Sequence, residues 1–188
     1  NAYNRFFYFE NASTGKIILN GTSDILANFA TRGGGAGGGT TFTNNGSIIL
    51  NGNNSIGVIL QSGVTNYVQS QIILNSPLEL RGDESIGIQV ANSTLDFTNS
   101  VVKLNIGTLG NDINSTGNIT GNDVNYVENA TGIAINTAGT VNFDDYDVFL
   151  GSKAKSSVGI LIQNGTATLS NNSKSNSIVS DSGVGNIL

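Results

Sequence analysis

A short phrase recurs along this chain of 188 residues: SIGVIL from Ser55, SIGIQV from Ser85, ATGIAI from Ala130, SVGILI from Ser157 and a worn GVGNIL from Gly183. Its glycines, Gly57, Gly87, Gly132, Gly159 and Gly185, lie 30, 45, 27 and 26 residues apart. A repeat of that size makes each unit one supersecondary element, which buries its apolar side only by stacking on its neighbours. Two further phrases recur between these glycines in constant order. One is IILN from Ile17, Ile48 and Ile72, with VKLN from Val102 and VFLG from Val148. The other is TFTNN from Thr41, LDFTN from Leu95, VNFDD from Val141 and ATLSN from Ala167.

Within the glycine phrase the apolar residues alternate. Ile56, Val58 and Leu60 share one side, and Ile86, Ile88 and Val90, then Val158, Ile160 and Ile162, take the same places. Period two is the signature of a strand, and no segment sustains the i, i+3, i+4, i+7 spacing of a helix. The 25 glycines, the 28 asparagines and the single proline mark corners, where Gly and Asn accept the left-handed backbone of a sharp turn. Three short strands per unit, joined by such corners, predict an all-β right-handed parallel β-helix of about six or seven coils, each of roughly 26–30 residues. Stacking of like on like makes Asn20, Asn51, Asn75 and Asn105 candidates for an amide ladder at one corner.

Breaks in the period place two inserts. Residues 107–129 hold too few apolar residues to form a wall, and residues 31–40, TRGGGAGGGT, lack the Lys-Ser/Thr that a phosphate-binding loop requires. The β-helix section is expected over residues 14–188. The aromatic start, with Phe6, Phe7, Tyr8 and Phe9, falls in residues 1–13 and is expected to be a cap or a preceding coil. The opening NAYNRFFYFE has the character of an excerpt from a longer chain.

Composition removes several function classes. The net charge of −5 and the scatter of only eight Lys and Arg argue against a nucleic-acid partner. With no Cys and no His, thiolate and imidazole metal sites, Cys or His nucleophiles and a disulfide framework are all absent, and no cofactor is implied. An acidic, cysteine-free chain suits passage in unfolded form through a secretion pore. Neither a signal peptide nor an apolar run of 18 residues is present.

The units NGNNSIGVIL, RGDESIGIQV and SSVGILIQNGTATLSNN resemble the passengers of type V autotransporters, above all the long β-helical passengers of fusobacterial outer-membrane adhesins, over roughly residues 14–188. The resemblance implies a passenger displayed on a Gram-negative cell surface, outer-membrane-anchored or secreted. Its implied partners are proteins or glycans on host cells or other bacteria. The translocator barrel that would tie such a passenger to the membrane is not among these residues. A passenger section that only spaces a distal binding domain is the second reading.

A β-helical lyase or glycosidase is the third. The densest acidic cluster is Asp144, Asp145 and Asp147, in NFDDYDVFLG. On a strand, Asp145 and Asp147 share a face about 7 Å apart, within the span of a glycosidase pair. Lys153 and Lys155 lie nearby, as the base of a lyase would. The cluster occupies the place of Thr43-Asn44-Asn45 in another unit, however, which favours plain surface acidity over a catalytic pair or a calcium site, and the chain is read as a non-enzyme.

The candidate receptor-binding residues are Arg81, Gly82 and Asp83, the integrin-type tripeptide, and Tyr126 in the long insert, whose ring offers a face to a sugar or protein. Aligning LRGDESIG on LNGNNSIG puts Gly82 over Gly52 and makes the tripeptide a variant of a repeated corner. Registering the unit on its IILN phrase instead would put the tripeptide in an insertion.

Overall fold

The structure, a computed structural model, describes residues 7–31, 40–62, 71–91, 95–108, 126–169 and 177–180. Among these no residue is helical, and the strands are β1 (Phe7–Asn11), β2 (Lys16–Leu19), β3 (Ile25–Thr31), β4 (Thr40–Asn44), β5 (Ser47–Leu50), β6 (Ile56–Ser62), β7 (Gln71–Leu74), β8 (Leu78–Leu80), β9 (Ile86–Ala91), β10 (Leu95–Ile106), β11 (Val127–Glu128), β12 (Thr131–Leu150), β13 (Ala154–Lys155), β14 (Val158–Leu169) and β15 (Ser177–Ser180). Every pairing among them is parallel.

The pairings form three rows, each visited once per repeat. The first runs β1, β4, β7 and on to Val101 in the middle of β10. The second runs β2, β5, β8, the end of β10, the end of β12 and β15. The third runs β3, β6, β9, the start of β12 and the start of β14. A fourth and shorter set pairs β11 with β13.

Parallel strands hydrogen-bonded in register lie about 4.8 Å apart, so the inner side chain of each strand rests on its counterpart in the next. In the second row Ile48, Leu78, Leu104 and Val148 form one such column, and Leu50, Leu80, Ile106 and Leu150 another. All eight are at most 1% exposed. The third row contributes Val58, Ile88, Ile133 and Ile160, with Leu60, Val90 and Ile135 beside them. Burying a side chain of this size is worth roughly 2 kcal/mol, so the columns dominate the stability of the fold. The aromatic start joins the same register: Phe7–Asn11 pair residue for residue with Thr40–Asn44, and Phe9 stacks on Phe42 at 5.1 Å.

Four details differ from the sequence reading. The IIL phrase at Ile72 does not rest on Ile48–Leu50. It pairs with Phe42–Asn44 in the first row, while Leu78-Glu79-Leu80 take the second-row place. The phrase at Val102 is displaced likewise, because Leu104 and not Val102 aligns with Leu78 and hence Ile48. A shift of two residues keeps the same faces inward, so the apolar pattern alone does not separate the registers.

The third difference lies in the glycine phrase. Ile56, Ile86 and Val158 are only half-buried, and the inner place belongs to the glycine that follows each. A Cβ on Gly87 would meet the Gly132 carbonyl at 2.7 Å and the Leu104 side chain at 3.0 Å, so the glycines make room for the second-row side chains. Preceding them, Ser55, Ser85 and Ser157 are buried, and they tie neighbouring units together. The Ser85 hydroxyl donates to the Gly52 carbonyl at 3.1 Å and accepts from the Ser55 amide at 3.3 Å.

Fourth, the four asparagines do not make one ladder. Asn51 donates to Asn20 at 3.1 Å, but Asn75 donates to Asn45 at another corner, and Asn105 lies buried in the second row beside Glu79. The buried amide pair is Asn11 with Asn44: Asn11 donates to Asn44 at 2.8 Å, and Asn44 donates to the Ser76 carbonyl at 2.9 Å.

Asn44→Ala is therefore expected to lower the unfolding free energy by about 1–3 kcal/mol, because it removes the acceptor of the shorter of the two Asn11 amide bonds, leaving the Ser47 carbonyl as the other, and removes the donor to the Ser76 carbonyl. Asn51→Ala, at an exposed pair, should cost within about 0.5 kcal/mol. Urea denaturation of both variants checks the difference.

Candidate functional site

The second and third rows meet at a tight corner that recurs in each unit, and Arg81-Gly82-Asp83 is one of its copies. The Asn51 and Gly52 amides both donate to the Leu19 carbonyl, at 2.8 and 3.1 Å; the Arg81 and Gly82 amides donate to the Leu50 carbonyl at the same two distances. Gly21, Gly52 and Gly82 thus stack on one another. None of the three has a left-handed backbone. The glycine is needed for closeness: a Cβ on Gly82 would run into the Gly52 carbonyl, and one on Gly52 into that of Gly21. Left-handed φ falls instead two residues later, on Ser23, Asn54, Glu84, Asn129 and Ser156, with φ between 51° and 63°. Each costs strain that a glycine would not.

Both charged groups of the tripeptide have partners within the chain. Arg81 Nε lies 2.7 Å from Glu79 Oε1, and the two side chains are 20% and 9% exposed. Two residues apart on one strand face, they meet without distortion. The Asp83 amide donates to Asn53 Oδ1 at 3.0 Å, and Asp83 Oδ1 accepts from the Glu128 amide at 2.8 Å. Asp83 is a rung of the corner, joining the unit before the long insert to the unit after it.

The insert leaves this corner and returns to it. Gly107 donates to the Leu80 carbonyl at 3.0 Å with φ of 55°, and Thr108 beside it is buried with its Oγ1 unpartnered. Residues 109–125 lie outside the described residues, as do 32–39 of the other insert. At the return, Tyr126 is 59% exposed, and Lys153 Nζ sits 4.5 Å above its ring centroid. Two residues on, Lys155 Nζ meets Glu128 Oε1 at 2.6 Å.

The hydrogen bond and charge of Glu128 raise the Lys155 pKa above its ordinary 10.5. The linkage favours the folded state fully below 10.5 and is lost as pH rises through the raised value. The pair is solvent-exposed, so its contribution is screened. Arg81, Asp83, Glu84, Tyr126, Glu128, Lys153 and Lys155 together form a ridge that combines both charges with one open aromatic ring.

The acidic cluster is elsewhere. Asp145 and Asp147 lie within β12, beside Val101 and Lys103, and flank the buried Tyr146, whose hydroxyl pKa is raised by burial. The Asp144 side chain is outside the described residues. Among the described residues no group of three or more acidic, His or Cys side chains is placed to hold a metal.

Sequence reasoning found the tripeptide and Tyr126 but missed their partners. Glu79 was legible as the i−2 neighbour of Arg81. Glu128 was not, because its contact with Asp83 spans the insert. Comparison with family models, with curated proteins and with solved structures returns no match.

Two substitutions in the tripeptide corner should act in opposite directions. Gly82→Ala is expected to destabilise by about 2–3 kcal/mol through the clash with the Gly52 carbonyl. Glu84→Gly, relieving a left-handed residue, should be neutral or stabilising by up to about 1 kcal/mol. Urea unfolding of the two variants reads both signs.

Proposed function

We propose that this chain is a section of right-handed parallel β-helix from the surface-displayed passenger of a bacterial autotransporter, and that it mediates adhesion to host cells or other bacteria. The observation that carries the reading is the parallel pairing of the described strands from β1 to β14, in which successive repeats add strands to three rows with local register shifts only in β10, β12 and β14. Such stacking is what a rod of repeated units requires, and the repeat phrases themselves resemble those passengers. Contact with a receptor protein or glycan is assigned to the corner ridge. It lies at the root of the long insert and carries Tyr126 and charges of both signs on a rigid turn. Adhesion needs no cofactor and no catalytic group.

The spacer reading has one specific observation in its favour. Arg81 and Asp83 are already bound to Glu79, Asn53 and Glu128, and an integrin would have to compete with those contacts. The ridge is therefore expected to act through Tyr126 and Lys153 more than through the tripeptide.

Cell-binding measurements on the purified chain separate the readings. Tyr126→Ala combined with Lys153→Ala should weaken binding about tenfold, the loss of an aromatic anchor of about 1.4 kcal/mol. Asp83→Glu should leave it within about twofold. Undiminished binding by the double variant would move the function to the spacer role, and a loss confined to Asp83→Glu would restore the tripeptide as the ligand.

A further inference from the structure

The outer side of the third row differs in kind from the rest of the described surface. None of the residues in Ile25–Thr31, Ile56–Ser62, Ile86–Ala91, 131–136 and 158–164 is charged. The first row carries Glu10 and Asp145, the second Lys16 and Glu79, and the corner most of the remaining charges. Two outward columns cross the third row. One is Ile25, Ile56, Ile86, Thr131 and Val158; the other is Asn28, Ile59, Gln89 and Leu161, with Ala134, itself only 8% exposed, between the last two. Gln61, in β6, donates to Asn28 at 2.9 Å, so the amides are organised along the face.

We infer that this charge-free face is a homotypic interface, whose occupant is the same face of a second copy of the chain. Charge selects the occupant. The chain has a net charge of −5, so two copies repel wherever their acidic surfaces meet, and the third row is where they can approach without burying a charge. A charged partner would gain nothing there. A second copy gains aliphatic contact along the first column, and in the second its amides both donate and accept, which suits a two-fold, self-complementary arrangement.

The area sets the size class. Five strands at about 4.8 Å spacing, each about six residues long, make a face of about 24 by 20 Å, so a pair buries on the order of 1,000 Å². That is the lower end for a specific interface, where weak and reversible association is the rule, so the range to search is about 10–100 µM. Each further unit of the same pattern would add about 200 Å², so the contact strengthens with the number of repeats.

Sedimentation velocity across that concentration range is expected to show a monomer–dimer equilibrium that stops at the dimer. Gln89→Lys or Ile59→Lys, which places a charge at the centre of the face, should weaken it at least about tenfold. Ile18→Lys, at a 42%-exposed isoleucine of the second row, should leave it unchanged. A chain that stays monomeric would overturn the inference. So would association that grows past the dimer and ignores the lysine on the third row, because that describes end-to-end stacking of open strands.

A second readout does not depend on tolerance of a buried charge. The chain has no cysteine, so under copper–phenanthroline air oxidation a Gln89→Cys variant can form a disulfide only with another copy. Efficient cross-linking at Gln89 with little in Ile18→Cys is expected; equal yields at both positions would also overturn the inference. The inference does not rest on the adhesion assignment, because it is read without any receptor present.

Discussion

Everything in this protein depends on how closely successive units approach at the corner between the second and third rows. There Gly21, Gly52 and Gly82 lie carbonyl against α-carbon, with no space for a Cβ between them. That contact keeps the corner at the same spacing as the strands on either side of it, and the strand register follows. If the corners were wider, the columns through Ile48 and Leu50 would lose contact with those below, and the apolar burial that stabilises the fold would fall away. The buried serines act at the same place. Ser85 bridges the Gly52 carbonyl and the Ser55 amide, satisfying groups that the tight turn would otherwise leave unpaired.

This constraint explains why some of the structure was legible in sequence and some was not. The strand type and the third-row register followed from the Ser-Ile-Gly phrase, because its glycine and serine have one place each in the corner. The IILN phrase misled at Ile72 and by two residues at Val102, because a run of aliphatic residues with even displacement buries equally well in either register. The decision fell to the corner downstream. Gly82 fits only on Gly52, which pins Leu78-Glu79-Leu80 to Ile48-Ile49-Leu50 and sends Ile72 to the first row. A backbone constraint with one solution outweighed an apolar pattern with two. The asparagines show the same principle from the other side: at exposed corners an amide accepts many neighbours, so identity of residue type did not imply identity of place.

The candidate site follows from the corner as well. Arg81 and Asp83 stand where Asn51 and Asn53 stand in the unit before, and the geometry that holds the asparagines holds the charges. Asn53 accepts from the Asp83 amide, and Asp83 in turn accepts from Glu128, so the aspartate continues a ladder that began with an amide. A carboxylate suits that role, having only acceptor atoms to offer the next unit's amide. The familiar tripeptide is then a local solution to stacking, with Arg81 held by the neighbouring Glu79.

Chemistry is distributed over the surface by the same logic. Corners tolerate charge, because a turn side chain projects into water and pairs along the stack, as Glu128 and Lys155 do. The outer side of a flat row offers its side chains only to one another and to whatever covers the sheet, so residues chosen there report on the partner more than on the fold. On the third row Ile56 and Ile86 are retained outside although the glycines beside them already serve the core. Lysine and glutamate are absent from all five strands, a neutrality that the proposed contact between copies would use, whereas the corner, where charge pairs along the stack, is left to the proposed receptor contact.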